Sequence, residues 1–180
     1  MAGSESPAGR PKATHDCDRA GATRERASPP SSGRGKGGRS SNPRRRAREF
    51  VVQGLYQWQV ADQDEAAIQV QAAGVAGFDK ADGPLYTTLL RETRQQAEAL
   101  KLDLAPHIDR GWDEVSPVER CILLLGACEL KFHPETPYRV IINEAIELAK
   151  TFGGTDGHKF VNGVLDKLAV LLRPTETRKS

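Results

Sequence analysis

Residues 116–130 read SPVERCILLLGACEL and contain the strongest helix start signal in the sequence. Ser116 stands at the N-cap position, Pro117 at the first helical position and Glu119 at the third, which is a capping box with the proline that helix starts favour. The residues from Cys121 to Cys128 are all apolar or glycine. A helix that is apolar on nearly every side is surrounded by other elements. The stretch therefore predicts a buried central helix.

Further helices are predicted on both sides of this central helix, because apolar residues recur at helical spacing. The expected helices before it cover residues 44–61, 64–75 and 85–100, with a short turn near 102–108. The expected helices after it open at Thr136-Pro137 and at Asp156, which can cap the last helix. Gly153-Gly154 and Pro174 mark their ends. No segment shows a convincing strand pattern, so the sequence predicts an all-α bundle of six or seven helices.

The first 43 residues differ sharply in composition from the rest of the chain. Gly, Ser and Pro make up 19 of them, and no Val, Ile, Leu, Phe, Tyr or Trp occurs there. Such a segment buries too little apolar surface to offset its ordering entropy. Residues 1–43 are therefore predicted to form a disordered tail, residues 44–174 the folded domain and residues 175–180 a short C-terminal tail.

Charge divides at nearly the same point. Residues 1–49 contain 12 Lys and Arg against 5 Asp and Glu, a net charge of +7, whereas the remainder has 14 against 19, a net charge of −5. A basic arm on a mildly acidic body is typical of a protein that binds a polyanion through the arm, by charge neutralisation and counterion release. A tail that only aids solubility is the alternative.

Several protein classes are disfavoured by the sequence. The longest apolar run has eight residues, against about 20 for a membrane-spanning helix, and no signal peptide is evident, so a cytoplasmic protein without membrane contact is expected. Cys121 and Cys128 are expected to be buried thiols, not a disulfide. No nucleophile elbow, HExxH motif or zinc-ligand spacing occurs. The expectation is a non-enzyme without cofactor or metal.

The predicted first helix has a second face besides its apolar one. Counted at 100° per residue from Ala47, four of its residues fall opposite the core: Arg45, Glu49, Val52 and Tyr56. Arginines pair with phosphates and an exposed tyrosine stacks on a base, which is the combination that single-stranded RNA recognition uses. The alternative is that Tyr56 packs against another helix and the arginines are merely solvated. The adjacent basic arm favours RNA.

A second candidate phosphate site is the loop FGGTDGHKF at residues 152–160. It lacks the spacing of a P-loop and no strand precedes it. A helix end, a turn and an N-cap at Asp156 explain its glycines. His158, Lys159 and two phenylalanines nevertheless gather around one helix start, and helix N-termini attract phosphates.

Three segments resemble the NusB family of bacterial transcription antitermination factors, in order along the folded part. They are RRRARE followed by QGLYQWQ at 44–59, PYRVIINEAIELAK with Phe152-Gly153 at 137–153, and HKFVNGVLDK at 158–167. The resemblance implies two small helical bundles, with the arginine-rich first helix near the groove between them. It also implies binding of the boxA element of ribosomal RNA transcripts as a heterodimer with the ribosomal protein NusE, within an antitermination complex of RNA polymerase. A homodimer of the free protein stays open.

The resemblance also assigns site residues by position. The implied RNA-binding residues are Arg44, Arg45, Arg46, Arg48, Tyr56, Phe152, Asp156 and Lys159. Asp156 cannot attract phosphate, so it is expected to cap its helix and accept hydrogen bonds from bases. Glu119 matches a NusE-contacting position, although the capping box is the favoured role. If four arginines each neutralise one phosphate, log affinity should fall with log salt at a slope of about −3.

Two rival functions belong to other classes. One is a helical protein-interaction adaptor whose contact with RNA is incidental. The other is an RNA methyltransferase, because the same helical fold occurs as an N-terminal domain in some of these enzymes. The chain ends at Ser180 and carries no strand-plus-glycine cofactor motif, so the methyltransferase is disfavoured.

Overall fold

The computed structural model describes residues 42–178, and within that range every regular element is helical. The predicted disordered tail therefore lies almost entirely outside the described residues. The α-helices are α1 (Pro43–Ala61), α2 (Glu65–Ala73), α3 (Gly83–Gln95), α4 (Ala97–Leu104), α5 (Pro117–Phe132), α6 (Tyr138–Phe152), α7 (Gly157–Leu172) and α8 (Pro174–Thr177). Short 3-10 turns occur at Phe78–Lys80, Ala105–His107 and Trp112–Glu114. The all-α prediction is confirmed.

Helix α5 is the central helix that its sequence predicts. Every residue from Cys121 to Leu130 is buried, and α5 contacts α1, α3, α4, α6 and α7. Gly126 allows a close approach to α7, because a Cβ at this position would lie 2.7 Å from Cδ1 of Leu165. Cys121 and Cys128 are free thiols, and burial raises the pKa of each to about 12. Both cysteines are thus the small buried residues that were expected.

The helices form two groups around one continuous core. Helix α1 packs against α2 and α3, whereas α5, α6 and α7 pack against one another. Helix α1 also packs against α5, and a single cluster of buried apolar residues runs through both groups. Ala47, Val51 and Leu55 of α1 are fully buried in it. Helix α1 therefore lies between the two groups, with its remaining surface available for a site.

Two boundaries differ from the sequence prediction. The predicted third helix is two helices, because the backbone at Gln96 (φ −100°, ψ 4°) ends α3 and starts α4. No Gly or Pro lies at this position, so the apolar spacing predicted one continuous helix. Near the C-terminus, the predicted tail begins with the one-turn helix α8. Arg173 holds this end in place by donating hydrogen bonds to the carbonyls of Leu130 (2.6 Å) and His133 (2.9 Å) at the end of α5.

None of the helices in the described part of the chain has the length and apolar character that crossing a membrane requires.

Candidate nucleic-acid interface

The candidate surface begins where α1 begins. Asn42 caps the helix by accepting a hydrogen bond from the backbone N–H of Arg44 (3.0 Å), and Pro43 occupies the first turn. The cap fixes the helical phase of the four arginines that follow within six residues. That phase sends each guanidinium toward a different neighbour, so the cluster does not form one continuous basic patch.

Arg48 lies in the core, in contrast to its assignment as an RNA contact. Its side chain is 4 % exposed and donates to Glu129 of α5 from Nε (2.9 Å to Oε2) and Nη2 (2.6 Å to Oε1). Burial lowers the pKa of Arg48, but the hydrogen bonds and charge of Glu129 more than offset this, so the pKa is raised overall. A guanidinium that is buried and committed to a carboxylate cannot reach a phosphate. We therefore remove Arg48 from the candidate surface and assign it to the α1–α5 contact.

Arg45 is also paired, but at the surface. Its Nε and Nη2 donate to the two carboxylate oxygens of Glu144 on α6 (2.9 and 2.8 Å), and 36 % of its side chain stays exposed. The hydrogen bond from Arg45 to Glu144 raises the pKa of the guanidinium. A guanidinium has five N–H donors, so this pairing leaves Nη1 free to serve a ligand. Arg45 remains a candidate contact with part of its charge neutralised.

Arg44 and Arg46 point toward the segment that leads into α3. Nε of Arg44 lies 3.9 Å from a carboxylate oxygen of Asp82, and 65 % of the Arg44 side chain is exposed. Arg46 is half-buried, and its Nη1 donates to the carbonyl of Gly77 (3.2 Å). Gly77 adopts a φ of +90°, and a Cβ there would lie 2.6 Å from Nη1 of Arg46. Arg44 is therefore the most accessible cation of the cluster.

Tyr56 and Phe152 meet in one cleft, although 96 residues separate them in sequence. The cleft has a volume of about 300 Å³ and is lined by Val52, Gln53, Tyr56, Gln57, Val118 and Phe152. Tyr56 is 40 % exposed and Phe152 is half-buried. Two aromatic rings at the mouth of an apolar cleft, with the amides of Gln53 and Gln57 beside them, can hold a planar base by stacking and hydrogen bonding.

The predicted outer stripe of α1 is only partly exposed. Arg45 and Tyr56 reach the surface, but Val52 between them is 2 % exposed. Helix α1 is thus buried over more than half its circumference, because α5 covers a second side of it. Tyr56 lines a cleft and is also partly exposed, so stacking of its ring on a base stays a prediction.

The loop after Phe152 places Asp156 and Lys159 in solvent. Their side chains are 74 % and 72 % exposed and form an ion pair of 2.9 Å. Asp156 occupies the N-cap position of α7, but its side chain makes no capping hydrogen bond there, so the capping prediction is wrong. The Asp156 carboxylate pairs instead with Lys159, three residues further along the chain. An ion pair this exposed contributes little free energy and opens readily for a ligand.

Glu119, near the start of the central helix α5, contacts the end of the same loop. The backbone N–H of Glu119 donates to Oγ of Ser116 (3.3 Å), which confirms Ser116 as the N-cap. The Glu119 side chain does not return a bond to the Ser116 backbone, so the capping-box role predicted for Glu119 is wrong. The Glu119 carboxylate lies against the first residue of α7, because a Cβ at Gly157 would be 2.5 Å from its Oε1. Its neighbour Val118 lines the aromatic cleft. Glu119 therefore lies between the cleft and the Asp156–Lys159 loop.

The helices that carry these features are covered by the model of a known protein family. The family model described as "NusB family" matches residues 45–170. The chain belongs to the NusB family. The transcription antitermination protein NusB of Dechloromonas aromatica (strain RCB) is 61% identical to it over 133 residues, which are 74% of this chain and 82% of that protein. The resemblance drawn from three sequence segments is thereby confirmed.

Solved structures of the NusB family share the fold. NusB of T. maritima is 28% identical with a TM-score of 0.67, over 77% of this chain and 99% of that chain. A chain in a crystal structure of the antitermination factors NusB and NusE in complex with dsRNA is 22% identical with a TM-score of 0.61, over 72% of this chain and 97% of that chain. The second likeness concerns the fold alone.

Sequence reasoning missed the acids that pair with the arginines of α1. Glu129 is the one charged residue between Cys121 and Leu130. A buried acid in an apolar helix needs a cationic partner, which was the available signal for Arg48. Glu144 lies on another helix than Arg45, and no spacing rule in the sequence links the two. Gln53, Gln57 and Val118 were missed because a cleft forms only when α1, α5 and α6 come together.

Proposed function

We propose that this protein is a transcription antitermination factor that binds boxA-type RNA of ribosomal RNA transcripts together with NusE. The observation that carries the proposal is the cleft that brings Tyr56 of α1 and Phe152 of α6 together. Membership of the NusB family supports the antitermination role, and relatives such as the 61% identical protein of Dechloromonas aromatica are named for it. Binding takes place where RNA polymerase works, so the proposed location is the cytoplasm and no membrane is involved.

Phosphate contacts are assigned to the accessible cations. Arg44 offers a largely exposed guanidinium near the start of α1. Lys159 offers an exposed ammonium near the start of α7. Arg45 and Arg46 add partly exposed guanidinium groups, each already anchored on one side by Glu144 or Gly77. Anchored arginines lose less side-chain entropy on binding than free ones. These contacts fix the position of an RNA strand but do not read its sequence.

Base recognition is assigned to the cleft. One base stacks on Tyr56 or Phe152, and the amides of Gln53 and Gln57 donate to and accept from its polar edge. Asp156 lacks a capping bond, so its carboxylate is available to accept a hydrogen bond from a base once its ion pair with Lys159 opens. Stacking and edge contacts of this kind suit an unpaired strand, because paired bases present neither a free face nor a free Watson–Crick edge.

NusE is proposed to bind beside the RNA, with Glu119 at the contact. A fold neighbour of this chain comes from a crystal structure of NusB and NusE in complex with dsRNA, which motivates the choice of partner. The Glu119 carboxylate is half-buried between the cleft and the start of α7. A cationic or N–H donor group of the partner at this position would gain an ionic hydrogen bond. The heterodimer then delivers RNA to the antitermination complex of RNA polymerase.

The test is to measure the affinity for a boxA-type single-stranded RNA, with and without NusE, at one fixed salt concentration. Tyr56→Ala should weaken binding by about 1–3 kcal/mol, the usual contribution of one stacked base, whereas Tyr56→Phe should keep most of it. A scrambled RNA and the same RNA annealed to its complement serve as controls. Equal affinity for all three RNAs, or no loss with Tyr56→Ala, would rule out base recognition at the cleft.

A second candidate is the protein-interaction adaptor. It is favoured by one observation: Arg45 and Arg48 are engaged in ion pairs within the protein, so half of the arginine cluster is used by the fold. The double variant Arg44→Glu with Lys159→Glu distinguishes the two, since both side chains are mostly exposed. RNA binding should collapse and NusE binding should survive if the first candidate is correct. Loss of NusE binding with RNA binding retained would favour the adaptor.

A further inference from the structure

Three potential metal ligands meet on the side of the core where α3 packs against the end of α5. They are Glu92 of α3, Cys128 of α5 and His133, the residue that ends α5. One ligand atom from each, a carboxylate oxygen, a sulfur and a ring nitrogen, lies within 4.8 Å of the other two. None of these residues belongs to the proposed RNA surface.

Both ring nitrogens of His133 lie against carboxylate oxygens, an arrangement that favours a positive charge at the ring. Its Nε2 lies 2.7 Å from Oε2 of Glu92, and its Nδ1 lies 2.9 Å from Oε1 of Glu135. A neutral imidazole has one N–H and one acceptor nitrogen. One of the two contacts would therefore join two acceptors, unless the ring carries a second proton or Nε2 and the Glu92 carboxylate bind a common metal ion. With a metal ion at Nε2, the Nδ1–H donates to Glu135, and both contacts are satisfied.

The chemical types of the three ligand atoms indicate which class of metal ion they would bind. A thiolate, an imidazole and a carboxylate are ligands of Zn²⁺ and chemically similar divalent ions, whereas Mg²⁺ and Ca²⁺ prefer oxygen alone. A carboxylate on the outer nitrogen of a ligating histidine is the usual second contact at zinc sites, where it fixes the ring. Glu135 occupies that place. The burial of the three residues also suits a site with one entrance, since Cys128 is fully buried and 38% of the Glu92 side chain is exposed.

We propose that Glu92, Cys128 and His133 bind one divalent ion of the zinc class, with Glu135 orienting the imidazole. The ion enters from the Glu92 side and displaces the thiol proton of Cys128 and the proton shared by His133 and Glu92, and both are released to solvent. Three protein ligands leave a fourth position for water. Ligand spacing along the sequence does not indicate this cluster, because Glu92 comes from another helix.

Such an ion would link α3 to the end of α5. Because it binds only the folded arrangement, it should raise the stability of the folded state according to its concentration relative to Kd. Helix α3 also packs on α1, so the metal would support the helix that carries the proposed RNA surface without touching it.

Co²⁺ titration of the full-length protein tests the proposal, because a cobalt–thiolate bond gives a charge-transfer absorption band. We expect a band that saturates at one ion per chain and disappears in Cys128→Ala. Cys121→Ala is the matched control, since Cys121 is equally buried on the same helix but lies outside the cluster. Cys17→Ala controls for the third cysteine of the chain. Both control variants should keep the band.

Zn²⁺ provides a second readout that does not depend on removing a buried residue. Zinc should raise the Tm of the unaltered protein and of Cys121→Ala, and His133→Gln should reduce this rise and weaken Zn²⁺ binding at least tenfold. The proposal is overturned if the unaltered protein shows no charge-transfer band and no Tm rise, which is the result expected of a protonated His133 held by its two carboxylates. It is also overturned if Cys121→Ala or Cys17→Ala abolishes the band.

Discussion

Arg48 and Glu129 form a two-point ion pair inside the core, with Nη2 and Oε1 2.6 Å apart and both side chains less than 5 % exposed. The pair joins the helix that carries the proposed RNA surface to the central helix. Both charges are removed from water, and each depends on the other for compensation. An arginine from a cluster that looks like an RNA site is therefore part of the fold.

Removing one member of this pair should destabilise the protein severely. Arg48→Met leaves the Glu129 carboxylate buried without a cation, for an expected loss of about 3–5 kcal/mol in the free energy of unfolding. The double variant Arg48→Met with Glu129→Leu should recover most of that loss, because no charge is left buried. Urea unfolding measures both. A stable Arg48→Met protein with weakened RNA binding would instead restore Arg48 to the RNA surface.

Sequence patterns anticipated the elements of this fold better than the partners of its charged side chains. The apolar run from Cys121 to Cys128 and the Ser116-Pro117 start define α5 without any tertiary information. Helical phase also placed Tyr56 away from the core. By contrast, the pairing of Arg45 with Glu144 depends on how α1 and α6 lie against each other. Local spacing contains no such information, so a guanidinium bound within the fold and one free for RNA look alike in sequence.

The two glycines Gly126 and Gly163 provide a matched test of core packing. A Cβ at Gly126 would lie 2.7 Å from Cδ1 of Leu165, whereas a Cβ at Gly163 on α7 would meet nothing within 4 Å. Alanine in place of a helical glycine gains about 1 kcal/mol of helix propensity, and overpacking a core costs about 1–3 kcal/mol. Gly163→Ala should therefore raise the Tm, and Gly126→Ala should lower it or leave it unchanged. A higher Tm for Gly126→Ala would show that α5 and α7 pack less closely than described.

The arginine cluster should contribute less to the salt dependence of RNA binding than four accessible arginines would. With Arg48 buried, the accessible cations of the cluster are Arg44, Arg45 and Arg46. Three phosphate contacts to a single strand predict a slope of log affinity against log salt of about −2, and Lys159 would add about −0.7. Arg44→Gln should reduce the slope by about 0.7. Arg91→Gln is the control, since Arg91 is 54% exposed on α3 and lies outside the proposed surface. A slope near zero would contradict the phosphate assignment altogether.

Glu144 should limit the affinity for RNA, because its carboxylate competes with phosphate for Arg45. Nε and Nη2 of Arg45 are both committed to Glu144, and the carboxylate places a negative charge on the proposed RNA surface. Glu144→Gln removes that charge and frees the guanidinium. Only 13% of the Glu144 side chain is exposed, so losing this pair should cost more than the roughly 0–1 kcal/mol of an exposed pair; urea unfolding of the variant should therefore accompany the binding measurement. RNA should bind the variant more tightly, with a salt slope steeper by about 0.7 for one additional phosphate contact. Glu98→Gln on α4 is the control, and it should change neither quantity. If Glu144→Gln weakens binding instead, the carboxylate serves to hold Arg45 in its binding orientation, and the orientation of the guanidinium matters more than its free charge.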